Sequence, residues 1–229
     1  MSQRQNGWQA VVARVAHAAV AAGRNPATVR ILAVTKTFLP DAVREAHAAG
    51  ARAFGENYVQ EGLGKIAALT DLADVEWHLI GPLQANKTRL AAEHFAWVHT
   101  IDRLKIAERL AVARTGAPPL NVCVQVNISG EASKNGVEPE AAVALARAVA
   151  PLPGLVLRGF MGIAAPDADP LLQRGQFRRL RGCLEAGVAE GLRLDTLSMG
   201  MSADLEAAIA EGATLVRVGS AIFGQRPSP

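Results

Sequence analysis

The chain has 229 residues, half of them apolar, which is enough for one large core and slightly short of the roughly 250 residues typical of a complete (β/α)8 barrel. Its 24 basic and 21 acidic side chains leave a formal charge of only +3, too small a surplus to predict nucleic acid as a partner. The opening run Met1–Gly7 has no apolar signal core, and no later stretch offers about 18 uninterrupted apolar residues. Cys123 lies in Val122-Cys123-Val124 and reads as a reduced core thiol; Cys183 is the only other cysteine. The expectation is a soluble, unprocessed cytoplasmic protein with no membrane partner.

Trp8, Val11, Val12, Val15 and Ala19 recur at helical spacing and predict an amphipathic helix over about 8–22, ending near Gly23. Strands are then predicted at Val29–Lys36, Ala51–Gly55, Val75–Gly81, Trp97–Ile101, Leu120–Asn127, Val156–Ile163, Thr196–Met199 and Leu215–Gly219. Between them, helical periodicity covers Asp41–Ala49, Val59–Leu69, Asn86–His94, Leu104–Arg114, Pro139–Ala150, Pro170–Glu190 and Ala203–Glu211. No linker or repeat divides the chain, so residues 1–229 read as a single domain. A doubly wound open sheet is the rival architecture, and the count of eight βα units favours the closed (β/α)8 TIM barrel. Arg174, Arg178, Arg179 and Arg181 share one predicted helix and read as a solvated face.

In such a barrel the chemistry belongs at the C-terminal ends of the strands. Lys36 closes the first strand on the face shared by Leu32 and Val34. There it must pair with an anion, reach water or carry a covalent ligand, and desolvation would favour an amine able to attack an aldehyde. Ser198-Met199-Gly200-Met201-Ser202 follows strand seven and Gly219-Ser220 follows strand eight, the two slots of the phosphate site found in many barrels. Ordinary Gly/Ser turns, with Ser202 as a helix N-cap, are the alternative. Arg217, within strand eight, needs either a carboxylate such as Glu56 or the ring nitrogen of a bound pyridine, which would then have to be an unprotonated acceptor. Asn57 reads as a cofactor contact or a helix N-cap, and His78 as a wall residue and possible base or a hydrogen-bonded core histidine. Lys87 and Lys134 read as solvated amines, and the five histidines show no metal-ligand spacing.

The segments Ala33-Val34-Thr35-Lys36-Thr37, Phe54-Gly55-Glu56-Asn57-Tyr58-Val59-Gln60-Glu61, His78-Leu79-Ile80-Gly81-Pro82-Leu83-Gln84-Ala85-Asn86-Lys87, Ser198–Ser202 and Arg217–Gly224 closely resemble the pyridoxal phosphate homeostasis protein family. The resemblance runs from about Val29 to the C-terminus. It implies a monomeric barrel like the N-terminal domain of alanine racemase, binding pyridoxal 5′-phosphate (PLP) without established turnover. It also implies a role in balancing intracellular PLP and, through it, amino-acid and keto-acid pools, with transient contact with PLP-dependent apoenzymes an open possibility. By position, Lys36 matches the Schiff-base lysine, and Ser198, Gly200, Gly219 and Ser220 match the phosphate loops. Arg217 matches the residue at the ring nitrogen and Asn57 one beside the ring. Ala164 stands where the family pattern leads one to expect proline. A PLP-dependent racemase of the alanine racemase type is the alternative function. A phosphate-binding barrel without aldehyde chemistry is a third.

Overall fold

The computed structural model describes residues 2–131, 134–166 and 169–224. Eight parallel strands close into a barrel in chain order: β1 (Arg30–Val34), β2 (Ala53–Glu56), β3 (Glu76–Leu79), β4 (Trp97–Ile101), β5 (Leu120–Val126), β6 (Leu155–Gly162), β7 (Thr196–Ser198) and β8 (Leu215–Val218). Closure is made by β1 and β8, in register from Arg30 opposite Leu215 to Ala33 opposite Val218. Helices α1 (Gln3–Ala21), α2 (Pro40–Ala48), α3 (Val59–Ala68), α4 (Thr88–His94), α5 (Leu104–Ala113), α6 (Pro139–Val149), α7 (Pro170–Ala189), α8 (Leu205–Ala210) and α9 (Ser220–Phe223) surround it. Strands buried on both faces read as nearly continuous apolar runs, and β5, Leu-Asn-Val-Cys-Val-Gln-Val, is the clearest case.

Alternation along each strand divides the apolar residues between two layers. Ala33, Phe54, Val98, Val122, Phe160 and Val216 face the helices in the main core. Leu32, Ala53 and Leu215 cluster on the other face, as do Trp97, Cys123 and Met161. The lumen also holds Arg217, His78 and His99, all buried, so polar side chains occupy part of a space that barrels usually fill with aliphatic layers.

The first helix begins earlier than its apolar periodicity indicated. Ser2 and Gln5 form a reciprocal capping box that starts α1 at Gln3. A Cβ on Gly7 would stand 2.6 Å from the Ile222 carbonyl oxygen, so glycine is what lets α1 lie against α9. The arginines of α7 are not a merely solvated face: Arg174, Arg178 and Arg181 converge on the buried carboxylate of Glu211, while Arg179 donates to the Ile128 carbonyl. Among the described residues, no helix is long and apolar enough to cross a membrane and no metal-binding cluster occurs.

Candidate functional site

At the C-terminal mouth a cavity of about 310 Å³ is lined by Val34, Lys36, Asn57, Ile80, Ile163, Met201, Ser202, Ala203, Arg217, Gly219 and Ser220. The lysine just past β1, the arginine of β8 and the loops after β7 and β8 therefore meet in one space, as their order along the chain predicted. Apolar walls come from Val34, Ile80, Ile163 and Met201, and the polar groups are few and convergent, the usual make-up of a small-molecule site.

Lys36 lies just past the end of β1, half-buried, in a turn that α3 grips. Thr37 adopts a left-handed backbone with φ of 69°, a cost that needs support from outside the turn. That support comes from three charged side chains the sequence reading did not assemble. Thr35 donates its hydroxyl to Glu56 at 2.5 Å, and Lys65 donates to the Thr35 carbonyl at 2.6 Å and to Glu56 at 2.7 Å. Glu61 accepts from the Thr37 N–H at 2.5 Å and from Lys65 at 2.8 Å. Burial raises the Glu56 carboxyl above the usual carboxylate range, and Lys65 opposes that shift. Glu56 is thus the partner of Lys65, and the suggestion that it pairs with Arg217 is corrected.

Arg217 forms part of the cavity floor and is anchored by uncharged acceptors. One terminal nitrogen donates to the Ser198 carbonyl at 2.6 Å and the Ser198 hydroxyl at 2.9 Å; the other donates to the Gly162 carbonyl at 2.9 Å. Burial pulls its pKa down to about 10, with the nearby charge of Asp204 acting in the opposite sense, so it stays charged at neutral pH.

The four residues expected to cradle phosphate occupy two different positions. Gly219 and Ser220 line the cavity, whereas Ser198 and Gly200 lie behind it. Ser198 belongs to β7, is fully buried and directs its hydroxyl toward Arg217 and His99. Gly200 has φ of +91°, and a Cβ there would come within 2.5 Å of the Ala208 Cβ, so this glycine serves the packing of the loop on α8. Ser202, set aside as an N-cap, supplies the cavity hydroxyl on this side, and Asp204 instead ties the loop by accepting from the Met201 N–H. Asn57 lines the cavity; at α3 the N-cap position is held by Tyr58, with no side-chain cap.

His78 lies away from the mouth, which corrects its place in the cofactor wall. It is fully buried in the lumen, stacked on Trp97 with ring centroids 5.2 Å apart, and bonded to Glu76 at 2.8 Å and to His99 at 2.9 Å. Lys134 lines a separate cavity of about 110 Å³ with Gln125, Asn127 and Asn135, which shares Ile163 with the first. Lys87 stands at the N-cap position of α4 and does not line the mouth cavity. Ala164 is buried in the core just after β6.

Residues 9–227 match the family described as alanine racemase, N-terminal domain. A Pseudomonas aeruginosa protein named pyridoxal phosphate homeostasis protein is 62% identical over 217 residues, covering 94% of this chain and 93% of its own length. The chain belongs to the pyridoxal phosphate homeostasis protein family. An Escherichia coli K12 protein of the same name is 50% identical over 216 residues, 93% of this chain and 92% of its own. Among solved structures, PipY of Synechococcus elongatus PCC7942 with PLP bound superposes with a TM-score of 0.80 at 39% identity, covering 92% of this chain and all of that one. An alanine racemase of Clostridium difficile 630 shares the barrel, with a TM-score of 0.75 at 13% identity, and the present chain spans 53% of its length. The name carried by these pyridoxal phosphate homeostasis protein relatives is that of a homeostasis protein and not of an enzyme.

Proposed function

We propose that this protein binds PLP in the mouth cavity, with the cofactor's aldehyde carbon held as a Schiff base on Lys36, and that it serves the homeostasis of PLP in the cytoplasm. The observation that carries this reading is the convergence of Lys36, Arg217, Ser202, Ser220 and Gly219 on one cavity with apolar walls. These residues fit the group. An aldehyde needs an amine, an aromatic ring needs Val34, Ile80 and Ile163, and a phosphate needs neutral donors beside a residue without a side chain.

When bound, the cofactor supplies an electrophilic carbonyl carbon and a ring able to delocalise negative charge. The chain's own part is to hold it. Lys36 would hold it through its side-chain amine, with loss of water. Arg217, which can only donate, calls for an acceptor opposite it, which weakens the ring as an electron sink. Ser220 and Ser202 supply hydroxyls for the phosphate, and Asn57 a side-chain amide beside the ring. Ser198, Gly200 and His78 act from behind this layer. An influence on amino-acid and keto-acid balance, a monomeric state and transient contact with PLP-dependent apoenzymes complete the proposal.

Borohydride reduction followed by peptide mapping tests it. A phosphopyridoxyl mass is expected on the peptide containing Lys36 and is lost in Lys36→Ala. An adduct found solely on Lys87 or Lys134 overturns the assignment.

A further inference from the structure

Behind Arg217 a continuous line of hydrogen bonds runs the length of the barrel lumen. Ser198 Oγ meets Arg217 at 2.9 Å and His99 Nδ1 at 2.9 Å; His99 Nε2 meets His78 Nδ1 at 2.9 Å; His78 Nε2 meets Glu76 at 2.8 Å. Arg217 is the eighth-strand side chain under the mouth cavity, and Glu76 is the first residue of β3, partly exposed at the opposite end and paired there with Arg30. We infer that this line is a single polarised chain of donors, from Arg217 to Glu76, and that His99 and His78 are positioning residues that hold the Ser198 hydroxyl as an acceptor for Arg217.

The direction follows from the two ends. A guanidinium only donates and an ionised carboxylate only accepts. His78 must therefore present Nε2–H to Glu76. A neutral imidazole has one N–H, so His78 Nδ1 is bare and His99 Nε2 carries the proton between the rings. His99 Nδ1 is then bare in turn, the Ser198 O–H donates to it, and the Ser198 oxygen is left to accept from Arg217. Every polar atom along the line has one role, and no second assignment with neutral rings satisfies both ends.

Both rings are fully buried, and burial lowers the pKa of each, well below the ordinary value for His99. The charged groups bearing on His78 are Glu76 on its own strand and Arg30 from β1. Those bearing on His99 are Arg217 from β8 and Arg30, beside the titratable ring of His78. Arg158 from β6 lies over the Trp97 ring on which His78 stacks, with Asp195 as its partner. Cys123 from β5 shares the lumen, and burial pushes its thiol up to about 12, so it brings no charge. A proton gained by His78 would make it a donor at both nitrogens. His99 would then have to shift its proton to Nδ1, and the Ser198 hydroxyl hydrogen would lose its acceptor. Occupancy of the floor at Arg217 and the state of His78 are in this way coupled through the two intervening groups, Ser198 and His99. That coupling to a bound cofactor rests on the PLP reading above; the direction of the chain does not.

Nitrogen-15 NMR of histidine-labelled protein at neutral pH reads the tautomers directly. The two buried rings are distinguished from His17, His47 and His94 by slow exchange, and from each other with His78→Gln and His99→Gln or, should these not fold, by their response to Ser198→Ala. Both buried rings are expected as Nε2–H tautomers with bare Nδ1; a proton on His99 Nδ1, or a doubly protonated ring at either position, overturns the chain. Adding PLP, with uptake followed by absorbance, should move the His99 and His78 signals and leave the other three unchanged. Uptake with both signals unmoved overturns the coupling. Absence of uptake overturns the PLP reading instead, while the tautomers still decide the chain.

Discussion

Ser198, Ser202 and Ser220 illustrate how position along a strand separates hydroxyls that look alike in sequence. Ser202 and Ser220 reach the cavity, so each, if it bonds the phosphate, contributes about 1.5 kcal/mol or more. Ser202→Ala and Ser220→Ala should weaken PLP binding by roughly tenfold each and pyridoxal binding hardly at all, which titration with the two ligands measures. Ser198→Ala should behave differently, leaving the ratio of PLP to pyridoxal affinity unchanged while costing about 1–3 kcal/mol of stability, because Arg217 loses an acceptor and His99 a donor. That the loops after β7 and β8 reach the mouth was legible from their slots, but which hydroxyl faces the cavity was not. That depends on β7 ending at Ser198, which turns this side chain into the lumen. The lumen histidines also govern acid behaviour. A folded-state pKa held below the unfolded value near 6.5 means that the unfolded chain takes up the proton first. The stability from keeping His99 neutral is therefore fully present above about pH 6.5 and is lost as pH falls. Glu56 and Asp204, raised by burial, work in the opposite sense, so the informative comparison is with His99→Gln. Between pH 6.5 and 5 that variant should lose less stability than the parent in urea unfolding.

Among the elements, α3 does more than cover β2. It carries Glu61 and Lys65 on the face toward the Lys36 turn, and this pairing was invisible in sequence because its members come from β2, α3 and the loop after β1. A motif search sees Glu56 and Lys65 as separate charges, and no periodicity reports that they share a hydrogen-bonded cluster. The order of the strands was legible, and for Trp97–Ile101 the bounds too, a run buried at every position. The cluster predicts an asymmetric mutational response. Lys65→Met should destabilise by about 3–5 kcal/mol by leaving Glu56 buried without its cation, and the double variant Glu56→Gln/Lys65→Met should recover much of that loss. If the cluster positions Lys36, the double variant should still form the borohydride-fixed adduct at a reduced yield. Thermal unfolding together with peptide mapping separates these outcomes, and full adduct yield in a stable double variant would refute a positioning role.

At the scale of the whole molecule, the question is whether a barrel with a lysine at its mouth also turns over amino acids. Racemisation needs a proton carrier on each face of the substrate carbanion and a ring that withdraws electrons. Lys36 can serve one face. Tyr58, the single tyrosine, is 64% exposed and does not line the cavity, and His78 lies in the lumen behind Arg217 and Ser198 with both ring nitrogens engaged. Among the described residues that line the mouth, only Lys36 and Arg217 are ionisable, and Arg217 is a donor that stays charged at neutral pH. Facing the ring nitrogen, it would leave the ring a weaker sink. The barrel mouth carries Ala203 and Met201 as exposed residues, an arrangement suited to loading and release rather than to shielding a carbanion from water. The expected outcome is that the PLP-loaded protein, incubated with L-alanine and other amino acids and followed by chiral analysis, gives no more product than Lys36→Ala. Lysine-dependent turnover near 1 per second or faster, the order of ordinary enzymes, would overturn the holding role. It would require Tyr58 to swing over the cavity as the second base, and Tyr58→Phe would then abolish the activity.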